Sequence, residues 1–91
     1  MASRIRFLTI NRFAPTVIVA AISSSLPPKP YPTEVRVKAG AGGLFRDSAI
    51  WLDQIRTIDK RRLENYIGQL DAETMPQVDE AIKISLGLVP L

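Results

Sequence analysis

The sequence predicts a small, mainly β domain closed by one C-terminal α-helix. Three observations carry this. Thr16 to Ile22 is a run of consecutive apolar and β-branched residues, TVIVAAI. Thr33 to Lys38 alternates strictly between apolar and polar side chains. Met75, Val78, Ile82, Leu86 and Val89 recur at spacings of three, four, four and three, the periodicity of one helix face.

Each element follows from local chemistry. A continuous apolar run such as Thr16 to Ile22 suits a strand buried on both faces, so it is expected at the centre of the sheet. Ser23 to Ser25 and then Pro27, Pro28, Pro30 and Pro32 end that strand, because proline has no amide to give to a ladder. In the next strand Val35 and Val37 should face the core, while Glu34, Arg36 and Lys38 share an outward, mostly basic face. AGAGG, Ala39 to Gly43, marks a turn; lacking a following Lys-Ser/Thr pair, it is no phosphate-binding loop.

Ser48 to Ile58 reads as a further strand whose Asp53, Gln54 and Arg56 imply a bend, an edge or a site. Asp59 to Arg62 reads as a tight or single helical turn, and Leu63 to Leu70 as a last short strand with a bulge at Gly68. The helix starts either at Asp71 as N-cap or at Thr74, which would pair with Gln77 and make Pro76 an early-turn residue. Gly87 and Pro90 end it. The chain thus divides into residues 1–10, a β-rich body over 11–70, and a helix with tail over 71–91, all within one domain. A chain of 91 residues suffices for one core.

Composition narrows the chemistry. Cysteine and histidine are both absent, which removes disulfides, Ser-His and Cys-His nucleophiles, and the usual zinc ligands. No cofactor or metal is expected. Asp79 and Glu80 diverge by about 100 degrees on a helix and make a poor metal site. From Met1 to Arg62 there are eleven Lys/Arg against four Asp/Glu, and from Leu63 onward one against five. A basic body suits a polyanion held through its phosphates, although solvated charge explains it equally. The run Val17 to Ile22 is too short to cross a bilayer, which takes about 20 residues. It continues into the strand-rich body, so a cytoplasmic protein without membrane contact is expected.

Arg12, Arg36 and Lys38 are candidates to line a nucleic-acid groove, with a solvated strand face as the alternative. Phe13, Tyr31 and Phe45 lie in or beside loops where a base could stack, although such aromatics more often close the ends of a small barrel. Trp51, between Ile50 and Leu52, is expected in the core rather than at an interface. Asp53 and Arg56 can satisfy each other at a strand edge.

The string from Arg46 to Leu88, RDSAIWLDQIRTIDKRRLENYIGQLDAETMPQVDEAIKISLGL, resembles the second half of MazF/PemK toxins. The Arg-Asp-Ser before a strand, DQIRTIDKRRL, the I-G-x-L strand end and VDEAIKISLGL carry the likeness. NRFAPTVIVAAIS, from Asn11 to Ser23, is similar to the family's central strand and its approach. The helix sequence sets the chain apart from the gyrase-poisoning toxins that share the fold.

The resemblance implies an SH3-like barrel of the CcdB/PemK type, a homodimer, and metal-independent cleavage of single-stranded RNA. It also implies an antitoxin that occupies the RNA groove, and binding of operator DNA together with that antitoxin. In that chemistry a ribose 2′-hydroxyl attacks the neighbouring phosphate, and an arginine with a threonine or serine stabilises the developing charge. Ser23 falls where the family has its hydroxyl, and Gln54 lies in a stretch that runs beside the groove.

The family's opening Gly-Asp strand and its Arg-Pro pair have no counterpart in MASRIRFLTI. The barrel is therefore expected to be incomplete at its N-terminus and cleavage impaired, with Arg4 or Arg6 as the substitutes within reach of the sequence. The alternative is a non-catalytic module that binds antitoxin, DNA or an intact toxin protomer.

Overall fold

The computed structural model describes residues 14–90; Arg4, Arg6, Arg12 and Phe13 lie outside the described residues. In chain order the elements are β1 (Thr16–Ser23), β2 (Glu34–Val37), β3 (Ser48–Asp59) and α1 (Met75–Ser85). Both β1 and β2 pair antiparallel with β3, giving the order β1-β3-β2, and α1 packs on β2 and β3. This is the mainly antiparallel β architecture with a C-terminal helix that the sequence predicts.

The central place among the described residues belongs to β3, not to the Thr16–Ile22 run. At 12 residues β3 is long enough to pair with both neighbours. The apolar run of β1 has another cause. Val17 and Val19 point into a small cluster with Ile58 and the partly buried Leu63, whereas Ala20 and Ile22 point the opposite way, into the main core. Ile18, next to two buried valines, is 63% exposed.

The main core joins Ala20 and Ile22 of β1, Val35 and Val37 of β2, Ile50 and Leu52 of β3, Leu70, and Val78 and Ala81 of α1. Ile50, Leu52 and Val78 are the largest fully buried side chains, each contributing about 1.5 to 3 kcal/mol by leaving water. Val35 and Val37 face inward as their alternation predicts. Glu34 does not face outward: its side chain is fully buried, because two hydrogen bonds, described below, replace water.

The register of β1 on β3 changes abruptly. Ala20 faces Ile55 but Ala21 faces Trp51, so Leu52, Asp53 and Gln54 have no partner residue on β1. The polar residues inside this strand thus mark an enlarged bulge. Leu52 keeps a hydrogen bond on the other side, from its amide to the Thr33 carbonyl at 2.8 Å.

The final strand expected over Leu63 to Leu70 does not form; the segment carries no ladder. It is held by packing instead, with Leu63 against the small cluster and Leu70 in the main core. Gly68 sits against the backbone of Gly42, and Gly43, at φ +84°, lies against the Ile67 carbonyl so closely that a Cβ at either glycine would meet main-chain atoms. Lys60–Arg62 form the expected single helical turn, of 3-10 type, capped by Asp59.

Both readings of the helix start contain part of the answer. Helical hydrogen bonding of α1 begins at Met75, with Thr74 as the flanking residue, yet the Thr74 side chain caps nothing. The Asp71 carboxylate accepts from the amides of Glu73 and Thr74 at 3.1 and 2.7 Å, and so caps the preceding turn. Pro76 lies in the first turn, where a missing amide costs little. At the other end Gly87 (φ +75°) closes a Schellman motif, with Leu88 N–H donating to Lys83 and Gly87 N–H to Ile84. Leu86, expected on the buried stripe, lies beyond the helix and is 56% exposed.

Candidate functional site

The register change creates a cleft of about 330 Å³ lined by Ala21, Ile22 and Ser23 from β1 and by Trp51 and Gln54 from β3. Pairing of Ser23 with Ala49 and of Ala21 with Trp51 brings the end of β1 beside the indole. The bulge carries Gln54 out of the ladder and into the same cleft. Two of the residues singled out from the sequence, Ser23 and Gln54, therefore come together although 31 positions separate them.

Ser23 is partly exposed, and its Oγ accepts a hydrogen bond from the Ser25 amide at 3.0 Å. That turn fixes the oxygen and directs the hydroxyl proton elsewhere, so Ser23 can donate to an incoming anion. Gln54 is exposed and offers a carboxamide, with one donor side and one acceptor side.

Trp51 departs from expectation: it is half-buried on the cleft wall instead of in the core. In the ladder it stands opposite Glu34, on the other sheet face from the buried Ile50 and Leu52. Tyr31 packs against it, with ring centroids 6.3 Å apart and planes tilted by 45°. The position of Tyr31 is set by Glu34, whose Oε1 accepts from the Tyr31 amide at 2.8 Å. Glu34 Oε2 accepts from Arg36 Nε at 2.7 Å, and Arg36 Nη2 donates to the Pro27 carbonyl at 2.6 Å. One buried carboxylate and one guanidinium thus tie the proline-rich loop to the sheet.

Arg36 is consequently engaged within the fold and is not presented by a basic strand face. Lys38 is exposed just beyond β2 and does not line the cleft. Asp53 and Arg56 are both exposed and form no ion pair with each other. Phe45 is 97% exposed and closes no barrel end.

The groups with displaced pKa values lie elsewhere. Asp59 is held below the ordinary aspartate value by the Arg61 side chain and amide, and Arg61 is raised in return. Hydrogen bonds from Thr74 lower Asp71. Among the described residues no group of three or more Asp or Glu stands close enough to hold a metal ion, and no helix is long and apolar enough to cross a membrane. The cleft itself offers a hydroxyl, a carboxamide and an indole: chemistry for contacting a phosphate and a flat, hydrogen-bonding ring.

Sequence reasoning missed the Tyr31–Trp51 pair. The alternation of β2 and the apolar neighbours of Trp51 were visible, but the pairing depends on the register of β2 on β3 and on a loop contact to Glu34, neither of which leaves a local signal.

Comparison with known proteins agrees with this fold. The family described as PemK-like, MazF-like toxin of type II toxin-antitoxin system matches residues 7–86. Endoribonuclease EndoA of Bacillus subtilis (strain 168) is 53% identical over 79 residues, which are 87% of this chain and 68% of that protein. Among solved structures, the Mycobacterium tuberculosis toxin MazF-mt6 superposes with a TM-score of 0.82 at 30% identity, covering 96% of this chain and 86% of its own. A mycobacterial endoribonuclease in complex with its cognate antitoxin shares the fold, with a TM-score of 0.77 at 22% identity over 99% of this chain and 82% of its own. With a family match across most of its length and a relative more than half identical, the chain belongs to the PemK-like, MazF-like toxins of type II toxin–antitoxin systems.

Proposed function

We propose that this toxin is a metal-independent endoribonuclease acting on single-stranded RNA, with Ser23 as its catalytic hydroxyl. The observation that carries the reading is the convergence of Ser23 and Gln54 in one cleft of a fold shared with named endoribonucleases. In the reaction the ribose 2′-oxygen gives up its proton and forms a bond to phosphorus, while the bond to the 5′-oxygen breaks and that oxygen takes up a proton, leaving a 2′,3′-cyclic phosphate and a 5′-hydroxyl. The Ser23 hydroxyl donates to a non-bridging oxygen as charge builds there. Gln54 reads a base edge, while Lys38 and Arg12 hold flanking phosphates and Arg36 keeps the wall of the cleft in place.

The five cleft residues bring no positive charge. The cation that a phosphorane calls for must reach the cleft from other residues, for which Arg4 and Arg6 are the candidates.

The reading includes a cytoplasmic homodimer neutralised by an antitoxin, as the mycobacterial relative is solved in complex with its own, and able to join that antitoxin on operator DNA. Purified protein incubated with single-stranded RNA in EDTA tests the activity. The expected products end in cyclic phosphate, and Ser23→Ala is expected to slow their formation by about 10²- to 10³-fold, the effect of losing one such donor. Cleavage that requires a divalent metal, or that ignores Ser23→Ala, rejects the mechanism.

Among the described residues the cleft lining is uncharged, which favours one second reading: an interaction module that binds antitoxin, DNA or an intact toxin protomer without cutting RNA. Stable capture of the antitoxin by a protein with no RNase activity selects it.

A further inference from the structure

We propose that Trp51, backed by Tyr31, is a nucleobase-stacking platform that sets which base enters beside Ser23, an inference that rests on the ribonuclease reading.

Trp51 has a structural oddity to explain. An indole on a central strand, between Ile50 and Leu52, would bury most area by facing the core, yet the register places it on the opposite sheet face and on the wall of the cleft. It is held there by more than its own packing. Tyr31 lies tilted against it, and Tyr31 is fixed through its amide to the buried Glu34, which Arg36 in turn clamps to Pro27. A ring pair with this support loses little freedom on binding, and so retains more of its stacking energy.

The neighbours of the indole indicate the ligand. Gln54 lines the same cleft and can pair a donor and an acceptor with the edge of a ring stacked on Trp51, while the Ser23 hydroxyl stands by for a phosphate. A flat face, an amide for the edge and a hydroxyl for the phosphate together match one nucleotide of an unpaired strand. The cleft, at about 330 Å³, is at the small end of the range for bound ligands of about 300 to 1,000 Å³, enough for one base and unsuited to a duplex.

Trp51 is the single tryptophan of the chain, so its fluorescence reports on its own site. The probes are 2′-O-methyl oligonucleotides, which cannot form the cyclic phosphate, differing at one base. Saturable quenching with rank order among the bases is expected, and it should persist in Ser23→Ala. Trp51→Leu should raise KM for cleavable RNA by about 5- to 150-fold with a smaller effect on kcat, the equivalent of about 1 to 3 kcal/mol for one stacked base. Trp51→Phe should recover part of that loss, and Tyr31→Phe should bind more tightly than Tyr31→Ala; a circular-dichroism melt of each variant identifies loss through unfolding.

Cleavage that depends on Ser23 but leaves the indole unquenched, or a folded Trp51→Leu with wild-type KM, overturns the platform and leaves the ribonuclease intact. Quenching by an antitoxin peptide but by no oligonucleotide overturns it in favour of a protein-binding wall. Absence of both cleavage and oligonucleotide binding by the wild-type chain removes the ribonuclease reading and this inference together.

Discussion

Glu34 concentrates much of the local architecture in one carboxylate. Its side chain is out of water, and both oxygens are used, one by a loop amide and one by Arg36. From the sequence it looked like one of three charged residues on a solvated face, because strand alternation assigns faces but cannot show which face a loop will later cover. The same limit hid the position of Trp51, whose apolar neighbours pointed to the core. By contrast Ser23 was singled out by the resemblance alone, which sets the end of the apolar strand where MazF/PemK toxins have their hydroxyl, and the structure places it in the cleft. Removing the guanidinium in Arg36→Ala strips one partner from a buried charge while leaving the Tyr31 amide in place. The expected loss is about 1 to 3 kcal/mol in urea unfolding, moderated by the partial exposure of Arg36, with the proline-rich loop loosened around Tyr31. An unchanged midpoint would show that the ion pair holds nothing.

Among the elements, α1 was read most fully, because its signals are local: apolar spacing, an acidic cap, an early proline and a closing glycine. What the sequence left open, Asp71 or Thr74, reflects a real division of labour, with the first supplying the capping side chain and the second the flanking position. The division has a pH signature. The Asp71 pKa is lower in the folded chain than in the unfolded one, so the stability it adds is fully present above the unfolded value and disappears as pH falls through the folded value. Asp71→Ala should therefore be less stable than wild type at neutral pH, with the two curves converging in acid, as measured by thermal melts across pH. A gap that stays constant into acid would exclude the charged cap. The segment after β3 was misread for the opposite reason: its close approach to the turn at Gly42 and Gly43 is a tertiary event without a local signal.

At the scale of the molecule, the class of fold and the order of its elements were legible in hydrophobic periodicity, whereas the sheet order was not, because pairing is decided by strand lengths and shared cores. Charge also acts at this scale. The basic excess before Leu63 should make RNA binding salt-sensitive, with affinity for a single-stranded oligonucleotide falling about tenfold or more between about 50 and 200 mM salt. Insensitivity to salt would argue that phosphates are not the main contact. The enlarged bulge of β3 has its own consequence. Three residues is an odd excess, so the core-facing side chains change from even positions, Ile50 and Leu52, to an odd one, Ile55, while β1 keeps its phase. Parity therefore governs what this strand tolerates. Inserting or deleting a single residue between Leu52 and Ile55 would turn one half of β3 inside out, whereas a change of two would preserve both halves and alter only the reach of Gln54. Variation in base preference among length variants of this toxin is thus expected to come in pairs of residues.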